Sequence, residues 1–434
     1  MASDRRDDER IRAAEISYKL GKYYEERDGN PNDALACYQD CLKRNNNEHK
    51  DSMIAIARIN QSAGNNDACF SMCQKVVKLD ATNEEATYML ANLMLMKQDA
   101  PDAIKVYQDL LKAQPDNYNV LANLIELLRR AGKIEDALQY IENAEAKTQR
   151  SKMAGLNYCK GLHSRYKSEP LKALRELNHA RFDNFYGESA IQNMIEIYLN
   201  PANDLIFSSL NDTPFSTTQD NIDSAKELVE ELKNKGVDTS IIECQILIAT
   251  KQKPNLETAQ KLLKETLSKN SNYVPANVTM AICQFILGRT SDARNALKLV
   301  INNNEYALQH ADYFEQAWIL MADYNISVNK YDLAEGDLQK ALKYNKSSFK
   351  AEELMGFIKE KEKAYVDAAD HYQKAWLMSN RKNAGVGYRL AFNYLKADRL
   401  VDAIDIGKEV VKVNPGMTKL KVEIIEKARG ELRI

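Results

Sequence analysis

Residues that break helices are scarce in this chain, which has 16 glycines and 9 prolines among 434 residues. Usage that low argues against turn-rich β folds and toward helices. Charge of one sign is also lacking: 60 Lys and Arg stand against 62 Asp and Glu, a net −2. The balance leaves no field over the whole molecule to draw a phosphate backbone, so nucleic acid is disfavoured as a partner. The richest apolar run, Tyr88 to Met96, is too short to span a bilayer, and the charged opening Met1 to Arg10 lacks the apolar core of a secretory signal. No direct membrane insertion is therefore expected. Histidines number five and are scattered without an HExxH spacing. Gly132-Lys133 runs on into Ile134 and Gly407-Lys408 into Glu409, so no phosphate-binding loop is formed, and Gly385-Val386-Gly387 lacks the third glycine of a dinucleotide loop. With no nucleophile, base and orienting group in evident combination, the reading is of a chain that is not an enzyme and takes no cofactor or metal.

What is present is a beat. From Trp318 onward one pattern is written three times: Met321-Ala322 leads to Ala334, Leu338 and Ala341; Met355-Gly356 to Ala368, Tyr372 and Ala375; Leu390-Ala391 to Ala403, Gly407 and Val410. The anchoring alanines stand 34 and 35 residues apart, and Cys69, Ala103 and Ala137 keep the same step of 34. That period belongs to the tetratricopeptide repeat, a helical hairpin that stacks on copies of itself. Small residues on the first helix (Ala322, Gly356, Ala391) are expected to meet small residues on the second (Ala334, Ala368, Ala403). The prolines agree: Pro31, Pro101, Pro170 and Pro254 fall between paired helices, and Pro115 and Pro415 follow second helices. A proline inside a helix costs about 3 kcal/mol, so these positions mark where helices stop.

The fold class expected is all-α, a right-handed tetratricopeptide-repeat superhelix (an α-solenoid) of about eleven hairpins closed by a C-terminal capping helix. Residues 1–199 read as N-terminal repeats and 223–415 as C-terminal repeats. Between them, 200–222 is a polar insert within the sixth repeat, rich in Asn, Asp, Ser and Thr, which should be mobile. A shorter insertion is expected from Ile301 to Phe314. In the capping helix, 416–434, Leu420, Ile424, Ala428 and Leu432 share one face. At the other end Ile11, Ala14 and Tyr18 form an apolar face behind a charged stub, which further repeats or a partner would cover.

Seven cysteines, an odd number and mostly at core positions, read as reduced thiols of an intracellular chain. Cys37 with Cys41 and Cys69 with Cys73 have the spacing of ligand pairs, but their repeat positions are packing positions, so buried thiols are expected rather than zinc. In stacked hairpins the first helices line the concave surface. The residues that point into it, and so the candidate partner-binding set, are Tyr88, Asn92, Leu95 and Met96, then Arg129 and Arg130, then Val278, Ile282, Phe285 and Ile286. The apolar members suit a groove that takes a partner helix or peptide, and equally suit packing between repeats. An adaptor gripping acidic C-terminal peptides is the alternative reading. Asn92 and Asn123 suit such a carboxylate clamp, but Tyr88 and Asn157 stand where cations would be needed.

Several strings go beyond the repeat frame. Tyr158-Cys159-Lys160-Gly161-Leu162, Tyr331-Asp332-Leu333-Ala334-Glu335 and Gly387-Tyr388-Arg389-Leu390-Ala391-Phe392-Asn393-Tyr394-Leu395-Lys396-Ala397 resemble the C-terminal part of the tetratricopeptide repeat protein 21 family, the large repeat subunit of the intraflagellar transport A complex. The resemblance covers most of the chain and is strongest from about Trp318. It implies a non-catalytic scaffold serving retrograde ciliary transport and the admission of cargo to the cilium. It also implies as partners the other transport A subunits, built of repeats and propellers, together with membrane-protein cargo or its adaptors. The places implied are the cytoplasm and the cilium, at the axoneme and basal body. Family members carry more repeats on the N-terminal side, so the chain reads as a fragment or a shortened product.

Overall fold

The computed structural model describes residues 2–46, 48–96, 100–148, 153–200, 218–302 and 310–432, and among these every regular element is helical. Two compact units result, the first formed by Met1–Leu127 with Gln139–Thr148, the second by Leu128–Leu138 with Gln149–Ile434.

Among the described residues the first unit holds three antiparallel hairpins: α1 (Ala2–Tyr23) with α2 (Pro31–Arg44), α3 (Lys50–Ser62) with α4 (Asn66–Leu79), and α5 (Glu84–Met96) with α6 (Ala100–Ala113). Helices α7 (Tyr118–Arg130) and α8 (Ala137–Lys147) each contribute residues to both units. On the second helices Ala34, Cys69 and Ala103 are wholly buried, as the repeat beat requires. At the start of the chain Ala14 is buried, whereas Ile11, Ile16 and Leu20 are exposed, and a Cβ on Gly21 would meet the Tyr38 ring.

Seven hairpins are described in the second unit. They are α9 (Met153–Tyr166) with α10 (Pro170–Ala180), α11 (Gly187–Leu199) with α12 (Gln219–Asn234), α13 (Ser240–Ala249) with α14 (Lys253–Lys269), and α15 (Val274–Ile286) with α16 (Thr290–Ile301). Then follow α17 (Ala311–Ser327) with α18 (Tyr331–Tyr344), α19 (Phe349–Lys361) with α20 (Tyr365–Met378), and α21 (Ala384–Lys396) with α22 (Leu400–Val413). Ala173, Ala225, Ala259, Ala293, Ala334, Ala368 and Ala403 are sealed from water along this series. A closing helical segment over residues 418–432, π-wound at Lys421–Glu426, buries Leu420, Ile424, Ile425 and Ala428 against α22 and leaves Leu432 exposed. The insertion expected from Ile301 to Phe314 is shorter than that, because Ala311 already opens α17. Most of the expected insert at 200–222 lies outside the described residues, and its last part belongs to α12.

Two hairpins show a close approach beyond the one expected between small residues. A Cβ placed on Gly356 would sit 3.0 Å from the Tyr372 ring, and one on Gly161 would sit 2.6 Å from Leu177 Cγ. In these two hairpins the glycine of the first helix accommodates the large residue of the second, one turn beyond the anchoring alanine. Tyr372 and Leu177 are both fully buried and have nowhere to retreat. Gly161→Ala therefore sets a helix-propensity gain of about 1 kcal/mol against overpacking of about 1–3 kcal/mol. A net loss of about 1 kcal/mol in urea unfolding is expected, and Leu177→Ala should cost less in the Gly161→Ala background than in the parent chain.

The scarcity of glycine has a counterpart at the hairpin tips. Two residues past the first helix the backbone turns left-handed in every described tip of the second unit: Gly132, Ser168, Lys251, Gly288, Asn329, Lys363 and Asp398, with φ between 54° and 77°. Only two of these are glycines, so five tips hold a side chain in a conformation that L-residues resist.

Candidate partner-binding surface and internal ion-pair cluster

In the first unit Tyr88 is 46% exposed on α5, while Asn92 is half-buried with its Oδ1 enclosed and accepting no hydrogen bond from the described protein atoms. The side chains of Leu95 and Met96 lie outside the described residues. In the second unit Val278, Ile282 and Phe285 are at most 6% exposed, inside a core that runs from α13 to α19, with Ile286 packed at its margin. That face of α15 is spent on neighbouring hairpins: the Phe285 ring lies 6.4 Å from that of Tyr324.

Arg129 and Arg130 sit in the last turn of α7, where cations suit the exposed carbonyls of a helix end. Both donate from Nη2 to the same Oδ1 of Asp312, at 2.7 and 2.9 Å. Asp312 lies in the first turn of α17, where a carboxylate is favoured. The side chains of the two arginines are only 12% and 11% exposed, whereas that of Asp312 is 62% exposed. The carbonyl of Arg130 accepts from the Lys346 N–H at 2.8 Å. The Arg129 guanidinium also lies 4.6 Å over the Tyr166 ring, and neighbouring Arg165 pairs with Glu196 and Asn193. Just past the end of α9, Ser168 Oγ donates to the Met378 carbonyl at 3.2 Å. The two arginines are among the candidates the sequence offers, but their acceptor is not legible there. The partners in the contacts to Asp312, Lys346 and Met378 stand more than 180 positions apart, and Asp312 lies within the stretch expected to be an insertion.

One turn beyond Asp312, Glu315 is 9% exposed and accepts from Asn345 Nδ2 at 2.9 and 3.1 Å. Burial raises its carboxyl pKa above the usual range, against the attraction of Arg129 and with the repulsion of Asp312 added. The sign follows: below the unfolded value of about 4.3 this group leaves stability intact, and stability is lost as pH rises through the higher folded value. Glu315→Gln keeps an acceptor for Asn345 and removes the charge. Its stability relative to the parent should therefore grow between about pH 4 and pH 7, as read by urea unfolding at the two pH values.

A second group of enclosed charges lies on α19. Lys350 Nζ is 2.7 Å from Glu353 Oε2 with side chains 4% and 9% exposed, and Glu352 meets His371 Nδ1 at 2.6 Å. All seven cysteines are free, six of them buried and Cys37 half-buried. Cys69 and Cys73 approach to 3.9 Å, and burial pushes the Cys73 thiol far up and those of Cys244 and Cys283 to about 11. Such thiols stay protonated and pack as small apolar groups. Among the described residues no helix is long and apolar enough to cross a membrane. The arrangement as a whole offers enclosed ion pairs and packed faces, suited to holding structure and binding protein.

Comparison with known families agrees with this architecture. The profile described as "Tetratricopeptide repeat protein 21 C-terminal ARM domain" matches residues 224–429, and that described as "TT21 fifth ARM repeats domain" matches 84–199. Tetratricopeptide repeat protein 21B of Homo sapiens is 41% identical over 437 residues, covering 97% of this chain and 33% of that protein. Tetratricopeptide repeat protein 21A of Homo sapiens is 34% identical, covering 92% and 31%, and the Caenorhabditis elegans homolog is 30% identical, covering 92% and 30%. The chain spans about a third of the length of these curated relatives. Among solved structures, the APC/C hetero-tetramer Cut9-Hcn1 aligns at a TM-score of 0.47 and 12% identity, over 99% of this chain and 91% of that one.

Proposed function

Because the chain belongs to the tetratricopeptide repeat protein 21 family, we propose that it acts as a non-catalytic, protein-binding scaffold of the intraflagellar transport A complex, supporting retrograde ciliary transport and the admission of cargo to the cilium. The observation that carries this reading is the family match over both 84–199 and 224–429, which follows the repeats rather than a single motif. The physical reading is consistent with it. A stack of hairpins has a large surface for its mass, and its enclosed charges are paired within the chain rather than aimed at a small substrate. The partners proposed are the other transport A subunits, with membrane-protein cargo or adaptors held through them. The proposed places are the cytoplasm, axoneme and basal body.

The test is affinity capture of the tagged, folded chain from ciliated cells, followed by mass spectrometry. Recovery of transport A subunits above a scrambled-repeat control is the expected result. Recovery of none, with helical content intact by circular dichroism, overturns the proposal. Titration with a short acidic C-terminal peptide separates the alternative, an adaptor or co-chaperone, which would bind it saturably.

A further inference from the structure

In stacked repeats each hairpin touches only its neighbours, so contacts between hairpins far apart in the series need their own explanation. The second unit has a set of them. Arg129 and Arg130 reach Asp312, the Arg130 carbonyl takes the Lys346 N–H, and Ser168 reaches the Met378 carbonyl while its own carbonyl accepts from Lys382 Nζ at 3.5 Å. The intervals run from 182 residues, between Arg130 and Asp312, to 216, between Arg130 and Lys346, about five hairpins along the series. Unlike the contacts between neighbours, which bury alanine, leucine and tyrosine, these contacts are polar. Their central acceptor is also water-accessible, since the Asp312 side chain is 62% exposed.

We propose that Arg129, Arg130 and Asp312 form an ionic clasp that fixes how tightly the second unit is wound, closed at low ionic strength and opened when the arginines are drawn away from Asp312. Two guanidiniums converging on one carboxylate oxygen give a strong, directional pair. Exposure of that carboxylate leaves it open to screening and to competing cations. The apolar hairpin cores are indifferent to salt by comparison. Opening the clasp therefore changes the winding without unfolding the hairpins, and with it the spacing of any surface that a protein partner reads across several repeats.

The experiment uses the whole chain carrying Gly132→Cys and Lys346→Cys. A Cβ at position 132 would lie 3.5 Å from Lys346 Cβ, within disulfide reach. Under mild oxidation the pair should cross-link, and Asp312→Arg should slow cross-linking tenfold or more. Adding Arg129→Asp and Arg130→Asp to Asp312→Arg should restore the rate. Because Gly132 has φ of 77° and a side chain there is strained, small-angle scattering on chains without the new cysteines gives a second reading. The radius of gyration should rise with Asp312→Arg and with salt, while circular dichroism stays unchanged. Failure of the pair to cross-link in a folded chain, or a cross-linking rate and radius indifferent to both salt and Asp312→Arg, overturns the clasp. None of these outcomes depends on the ciliary reading.

Discussion

Trp376→Ala should lower the stability of the second unit by about 3–5 kcal/mol, the largest single-residue effect expected from packing in this chain. Trp376 is 1% exposed on α20, in the core formed by α20, α21, α22 and the closing segment. Its ring lies against Gly387, where a Cβ would come within 2.8 Å of Trp376 Cζ3. The indole Nε1 is enclosed and donates to no described protein atom, so the loss on truncation is of packing and not of a hydrogen bond. Trp376→Phe should accordingly cost far less, about 1 kcal/mol, because it fills most of the volume and removes an enclosed donor. Urea unfolding followed by circular dichroism measures both. A loss below about 1 kcal/mol for the alanine variant would mean that the core collapses into the space or is not closed there.

Breaking the Lys350–Glu353 pair should be nearly as costly. Both side chains are enclosed, at 4% and 9% exposure, so Glu353→Ala removes a buried carboxylate that compensates the Lys350 ammonium, at about 3 kcal/mol. Replacing both together, Lys350→Met with Glu353→Leu, removes the need for compensation and should bring stability back to within about 1 kcal/mol of the parent. The coupling in this double-mutant cycle, about 2 kcal/mol or more, is the quantity to measure. Additive losses would show that the two charges are solvated separately.

The fold was legible because its organising contacts are local and periodic. Alanines at a step of 34 residues, prolines at the breaks and an apolar face at Leu420, Ile424 and Ala428 each report on packing between elements adjacent in sequence. The detail inside the hairpin was less so. The contact of Gly356 with Tyr372, four residues past Ala368, depends on how far one helix slides along the other, which spacing alone does not give. Of the candidate surface residues, Val278, Ile282 and Phe285 look identical in sequence whether they line a groove or fill the joint between hairpins, since both demand apolar side chains at the same step. The structure seats them in the joint. Arg129 and Arg130 were singled out by position, but their acceptor was hidden. Asp312 belongs to another hairpin, and no local pattern links a carboxylate to arginines 183 and 182 residues away.

The left-handed residues at the hairpin tips bear on how such a chain can change length. Each described tip of the second unit reverses direction through one backbone state two residues past a helix, whether the residue is Gly288, Asn329, Lys363 or Asp398. A reversal so standard leaves the exit direction of one helix and the start of the next independent of what the connecting residues are. Segments can therefore be spliced in at a tip without re-aiming the helices on either side. The longest connection within a pair joins Leu199 to Gln219, and α11 and α12 still pack as a hairpin with Ala190 and Ala225 buried.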